Sequence, residues 1–339
     1  MGGMRMRGLL WKEWRQYRGY FLLAFLFISK DTILVPISAW VYQVGDSADA
    51  WSAGIKNILA TGFSTTETTA VITVVLLAAL MLAGERAGTL NYLVTTPVSR
   101  QEIIRAKLLS GCLVIISIMF VIGGFLLLAG ALLPAQYSAE EVINWVVITT
   151  AALLCLFGLA LLVASFSRGI LSSALITMVI MALPWMLISM VLQIFRQFYT
   201  LSAGIELKAR YIATYLYIPD YISRDGRYIR SSNLAIDRVA PDYPLEVAIL
   251  LLAAFLFLWV AIKAFEKNSL EHRDELLLFG NFKQIGLILI SLMAAMGWAA
   301  QMAASPVLFL FYFIAMWLGL YLAMFAVISA ITWLSLRRG

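Results

Sequence analysis

An all-α bundle of membrane-crossing helices is the fold this sequence predicts, on three observations. Of 339 residues, 62% are apolar and only 13% charged, with a mean hydropathy of +0.90, far more apolar surface than a soluble chain of this size hides in one core. Several apolar runs approach or exceed the ~20 residues with which a helix crosses ~30 Å of hydrocarbon. None of them shows the ten-residue alternation of a membrane barrel.

Eight spans follow, near residues 20 to 43, 66 to 84, 109 to 133, 143 to 167, 170 to 196, 245 to 265, 283 to 303 and 306 to 335. An even number puts both termini on one side. The basic arm Arg5, Arg7, Lys12, Arg15 and Arg18 precedes the first span. The apolar stretch after it is long and no small-residue cleavage site closes it, so a retained span is expected. Within Leu9 to Arg18, apolar groups recur at Leu10, Trp14 and Tyr17 with charges between them. That spacing suits a helix in the headgroup plane over residues 1–19. Trp11 and Trp14 would lie at the interface, and Lys12, Arg15 and Arg18 would meet anionic membrane lipid. A plain anchor and a lever attached to a moving first span both fit this pattern.

Lys30 and Asp31 fall near the middle of the first span, where an unpaired charge costs ~2.5 to 3.5 kcal/mol on insertion scales. Neighbouring residues point about 100° apart on a helix, so each needs its own partner. A structural interspan pair, a polar substrate or ion site, and a helix ending near Ser29 are the three readings.

Between spans two and three lies a charged island, residues 85–108. Pro97 breaks any helix through Leu90 to Thr96, and Ser99 with Glu102 forms a capping box that opens a new helix toward Lys107. A short surface helix held by two rigid spans transmits a push into the membrane, whereas an ordinary solvated loop absorbs it.

Spans four and five are joined by only Ser165-Phe166-Ser167-Arg168-Gly169, and Pro184-Trp185 would bend span five at mid-depth. The loop 197–244 then carries half of the chain's 14 tyrosines. There Asp225-Gly226, between Tyr221 to Arg224 and Arg227 to Arg230, predicts a tight hairpin within a small outer cap. Tyr217, Tyr221, Arg224, Arg227 and Tyr228 would suit recognition of sugars or phosphates. They would equally suit a cap lying on the membrane or on a partner subunit. In span seven Ser291, Ala295, Ala299 and Ala303 form a small-residue face for close helix packing, better spent on span eight than on dimerisation.

Sixteen of the 25 Lys and Arg fall in the N-terminal arm, the island, Arg168, the 263–283 segment and the tail. The positive-inside rule sets these segments and both termini in the cytoplasm. His272 is the only histidine, so multi-His metal sites and a Ser-His-Asp arrangement are not expected. Cys112 and Cys155 lie in apolar runs and read as buried small residues. No Gly-x-x-x-x-Gly-Lys-Ser/Thr loop occurs, so ATP hydrolysis of the phosphate-loop type needs another chain. Nothing marks nucleic acid as a partner.

Glu85-Arg86, Gly88-Thr89-Leu90, Leu93, Pro97-Val98-Ser99-Arg100, Glu102-Ile103 and Lys107 together resemble the signature of type-2 ATP-binding-cassette permeases. The basic, Trp-containing N-terminal segment and the short turn at Ser165 to Gly169 resemble theirs too. The resemblance spans roughly residues 9 to 267. It implies a six-span permease core, residues 20–267, followed here by an additional two-span hairpin, 268–339. It implies two cytoplasmic ATPase subunits that carry ATP and Mg, no cofactor in this chain, and a second permease subunit, identical or paralogous. It places Glu85, Arg86, Thr89, Leu90, Asn91, Tyr92, Leu93, Pro97 and Arg100 at the ATPase contact, and the first, second and fifth spans at the dimer interface. Outward transport across the cytoplasmic membrane is the expected function. An ATP-independent sensor or scaffold recognising envelope material through the outer loop is the alternative.

Overall fold

The structure, a computed structural model, describes residues 2–42, 64–82, 99–132, 137–167, 169–198, 203–221, 228–229, 237–238, 243–267, 291–299 and 305–336, with residues 55, 59, 288 and 302 as isolated helical positions. Among the described residues the long helices are α1 (Gly2–Tyr42), α2 (Ser64–Leu82), α3 (Arg100–Leu132), α4 (Ala139–Phe166), α5 (Ile170–Phe198), α6 (Ala203–Leu216), α7 (Tyr243–Lys267) and α8 (Pro306–Leu336). The predicted all-α membrane bundle is what the chain forms. Among the described residues, five helices are long and apolar enough to cross a membrane: Gln101–Leu132, Ala139–Phe166, Ile170–Arg196, Pro244–Glu266 and Pro306–Ala326. They correspond to predicted spans three to six and eight. Thr68–Leu82 is a shorter apolar helix at the place of span two; the expected span one falls within α1, which is not among the five.

The chain divides into two compact units, Met1–Met181 with Tyr217–Leu276, and Ala182–Leu216 with Leu277–Gly339. In the first, α4 is the central element. It packs on α2, α3 and α7, and it is buried on nearly every side. Its start is fixed by a capping box: the Ser138 hydroxyl accepts from the Glu141 amide, and the Glu141 carboxylate accepts from the Ser138 amide. Glycines let its neighbours close in. A Cβ on Gly111 of α3 would stand 2.1 Å from the Phe157 ring, and one on Gly158 would stand 3.2 Å from the Ala254 carbonyl oxygen of α7.

The N-terminal segment and the first span form one uninterrupted helix. At 1.5 Å per residue its 41 residues reach about 60 Å, so one end projects beyond the ~30 Å hydrocarbon. Its buried stripe is Leu9, Glu13, Tyr17, Phe21, Ala24 and Ile28, at three- and four-residue spacing. The sequence spacing sets Leu10, Trp14 and Tyr17 on a face toward the membrane. Only Tyr17 is buried there; Trp14 is 51% exposed. The face buried within the protein is a different one that shares Tyr17 and carries Glu13, which meets Lys107 there.

The predicted capping box at Ser99 is present: the Glu102 amide donates to the Ser99 hydroxyl at 3.2 Å, and the Ser99 amide to the Glu102 carboxylate at 2.9 Å. The helix it opens does not stop at Lys107 but runs without a break to Leu132.

The outer segment differs from expectation. A 3-10 helix at Ile218–Tyr221 packs on α4 and α2, and Tyr221 in it is 2% exposed. The paired strands are Tyr228–Ile229 and Asp237–Arg238, antiparallel, with Tyr228 opposite Arg238. Asp225-Gly226, which lies outside the described residues, does not join them. Ile222 to Arg224 of the first expected strand likewise lie outside the described residues.

The second unit is tied by an ion pair between Arg196 at the end of α5 and the buried Glu206 of α6, and by Phe198 edge-on to Phe309 of α8 at 5.8 Å. Ser291, Ala295 and Ala299 are fully buried, and Met190 of α5 lies 3.2 Å from where a Cβ on Gly297 would stand. The small-residue face is therefore covered within the chain, with α5 the recorded neighbour of Gly297. Ala303 lies outside the described residues.

Candidate functional site

Three helices converge at the N-terminal ends of α1 and α3 and the C-terminal end of α2. Glu13 of α1 and Lys107 of α3 are each about 1% exposed, and the Lys107 ammonium donates to the Glu13 carboxylate at 3.0 Å. The Lys107 nitrogen also stands 5.2 Å from the centre of the Tyr17 ring, one turn further along α1. The Tyr17 hydroxyl points at the Met81 carbonyl of α2, at the 3.5 Å limit of hydrogen bonding. Lys12 approaches the other Glu13 oxygen at 3.4 Å from the surface.

Two buried charges so close survive only as a pair, since either alone would have to leave water uncompensated. The pair and the tyrosine sit on either side of residues 83–98: Met81 is at the last turn of α2, Lys107 two turns into α3. Both ends of the charged island are thereby fastened to the same face of α1. Sequence reasoning missed this pairing. The available signal was Glu13, an acid in a basic arm, four residues from Leu9 and four from Tyr17 on one helical face.

Most of the island itself, Glu85, Arg86, Thr89, Leu90, Asn91, Tyr92, Leu93 and Pro97, lies outside the described residues. Arg100 is the first residue of α3. Trp11, Trp14, Arg15 and Arg18 are exposed on α1, on faces away from the buried pair. Lys30 is half-buried, between Ser29 and Thr32, whose hydroxyls bond back to the carbonyls of Phe25 and Ser29. The Asp31 side chain lies outside the described residues. Since α1 continues to Tyr42, the reading in which the helix ends near Ser29 is excluded.

Of the outer-loop candidates, Tyr217 is half-buried and lines, with Pro219, one rim of a cavity of about 480 Å³ between α2 and Leu171 to Met181 of α5. Tyr221 is buried, which removes it from direct recognition. Tyr228 lies in the first strand, and Arg224 and Arg227 lie outside the described residues. No cluster of three or more His, Cys, Asp or Glu able to hold a metal occurs among the described residues.

A bundle of long apolar helices with a charged seam at one end defines a polytopic, multi-pass membrane protein. The family model for ABC-2 family transporter protein matches residues 22–270, and the chain belongs to that family. It is thus a membrane permease component of an ABC transporter, and that membership implies ABC ATPase partners. Comparison with curated proteins gives no match.

Proposed function

We propose that this chain is the permease subunit of an ABC exporter, driven by ATP hydrolysis in separate cytoplasmic subunits. The island from Glu85 to Lys107 receives the movement of the ATPases, and α1 carries it into the bundle. The observation that supports this most directly is the fastening of both island ends to α1, through Tyr17 with Met81 and Glu13 with Lys107. A displacement of the island pulls on a buried ion pair, and a buried pair resists separation far more than a solvated one. The leading half of α1 therefore acts as a lever continuous with the first span. Two permease subunits, meeting through spans one, two and five, would form the path, with both termini in the cytoplasm. ATP and Mg belong to the ATPases.

The test is affinity purification of the tagged chain from native membranes in mild detergent, comparing wild type with Leu90→Asp. A nucleotide-binding ATPase recovered with wild type and lost from the variant is the expected result. Failure to recover any ATPase while other membrane complexes survive overturns the proposal in favour of an ATP-independent sensor.

A further inference from the structure

On the side of α1 away from α2, a groove of about 730 Å³ runs between α1 and α3. The two helices lie parallel here: Glu13 faces Lys107, and the groove is lined from Leu10 to Phe25 on one wall and from Ser110 to Val121 on the other. We propose that this groove holds one anionic glycerophospholipid, its phosphate at Arg18 and an acyl chain lying toward Phe25 and Val121.

The chemistry of the two ends differs. Toward the N-terminal ends of the helices the walls present Trp14, Arg18 and the Ser110 hydroxyl; beyond them come Phe21, Leu22, Leu113 and Ile118, with Ser117 the one polar group. A helical Arg leans back toward the start of its helix, so the Arg18 guanidinium lies at the polar end while its stem covers the groove. Among the described residues no carboxylate pairs with Arg15 or Arg18, in contrast to Lys12 and Lys107 of the same seam. An open groove with an uncompensated cation at one end and an apolar trough below matches an anionic amphiphile. A zwitterionic lipid brings its own ammonium and gains less from Arg18. Gly19 borders open space in the trough, where a Cβ would meet nothing within 4 Å. Depth along α1 supports the fit: the seven residues from Arg18 to Phe25 span about 10 Å, a substantial part of one leaflet's hydrocarbon.

The site is independent of ATPase coupling and needs only that the helices lie in a membrane. The full chain, purified in neutral detergent, would be titrated with equal amounts of phosphatidylglycerol and phosphatidylcholine and read by native mass spectrometry. Wild type retains one phosphatidylglycerol in preference to phosphatidylcholine. Arg18→Gln reduces that preference about fivefold, the loss of one surface cation. Gly19→Leu, which fills the trough without a clash, removes the retained lipid, while Lys208→Gln on the exposed face of α6 leaves it unchanged. The proposal fails if Gly19→Leu retains phosphatidylglycerol as wild type does, or if Arg18→Gln keeps the preference. It also fails if inorganic phosphate displaces the lipid, or if Gly19→Leu alters only the dimer fraction, which would make a second copy the occupant. ATPase recovery from the same samples separates a failure here from a failure of the coupling proposal.

Discussion

Substituting the two buried charges singly and together tests the seam at Glu13 and Lys107. At 3.0 Å, and with an effective dielectric of about 20, their attraction is about 5.5 kcal/mol. Desolvation of both groups offsets much of it, so what experiment reads is the cost of stranding one partner, about 3 to 5 kcal/mol. Glu13→Leu leaves Lys107 with the face of Tyr17 and should cost the full amount. Lys107→Met leaves Glu13 with Lys12 at 3.4 Å, a partner 31% exposed and hence screened. That variant should be milder by up to about 1 kcal/mol. The double variant buries two apolar side chains of similar length and should return to within about 1 to 2 kcal/mol of wild type. The assay is unfolding of the purified chain by titration with dodecyl sulfate in a mild detergent, followed by helicity. Single variants costing under about 1 kcal/mol, or a double variant whose loss equals the two singles added, would refute the coupling inferred from the geometry.

Gly111→Ala should destabilise by about 1 to 3 kcal/mol, because its methyl group falls 2.1 Å from the fully buried Phe157 ring; thermal unfolding should recover partly when Phe157→Leu is added. Ser138→Ala removes the acceptor of the Glu141 amide at 3.2 Å and should cost about 1 kcal/mol in the same assay. Burial raises the Tyr137 phenol above its ordinary pKa of 10.0, and its hydroxyl donates to the Leu126 carbonyl at 2.9 Å. The unfolded chain then ionises first, so stability should hold up to pH 10.0 and fall above it as the unfolded state releases its proton. Tyr137→Phe should cost about 1 kcal/mol at neutral pH and remove that tyrosine's part of the alkaline fall.

Hydropathy alone located the long helices, since a run such as Ala139–Phe166 has no other stable form in hydrocarbon. The capping box at Ser99 was legible for the same local reason: both its hydrogen bonds lie within four residues. What sequence could not supply was rotation and long-range pairing. Leu10 and Leu9 are equal candidates for an inward face until a neighbour exists, and the choice falls to Leu9 because the same turn then points Glu13 at Lys107, 94 residues away. The outer hairpin expected at Asp225-Gly226 lies largely outside the described residues. Asp225-Gly226 is a strong local turn signal, while the pairing of Tyr228–Ile229 with Asp237–Arg238 is a longer-range contact that no local signal marked.

The seam also bears on why charges stand where leucines would suffice. Along α1 the buried stripe of Leu9, Tyr17, Phe21, Ala24 and Ile28 is apolar and repeats roughly each turn, so a one-turn slip against α3 would still match apolar to apolar. Glu13 breaks that degeneracy. Displaced by one turn, about 5.4 Å, it would leave Lys107 behind, stranding both charges in the core. The pair therefore fixes the register of α1 on α3. Under the coupling proposed above, a push on the island would then move α1 as a body. In that account the ion pair contributes little to net stability and much to transmission, which is the division that the single and double variants separate.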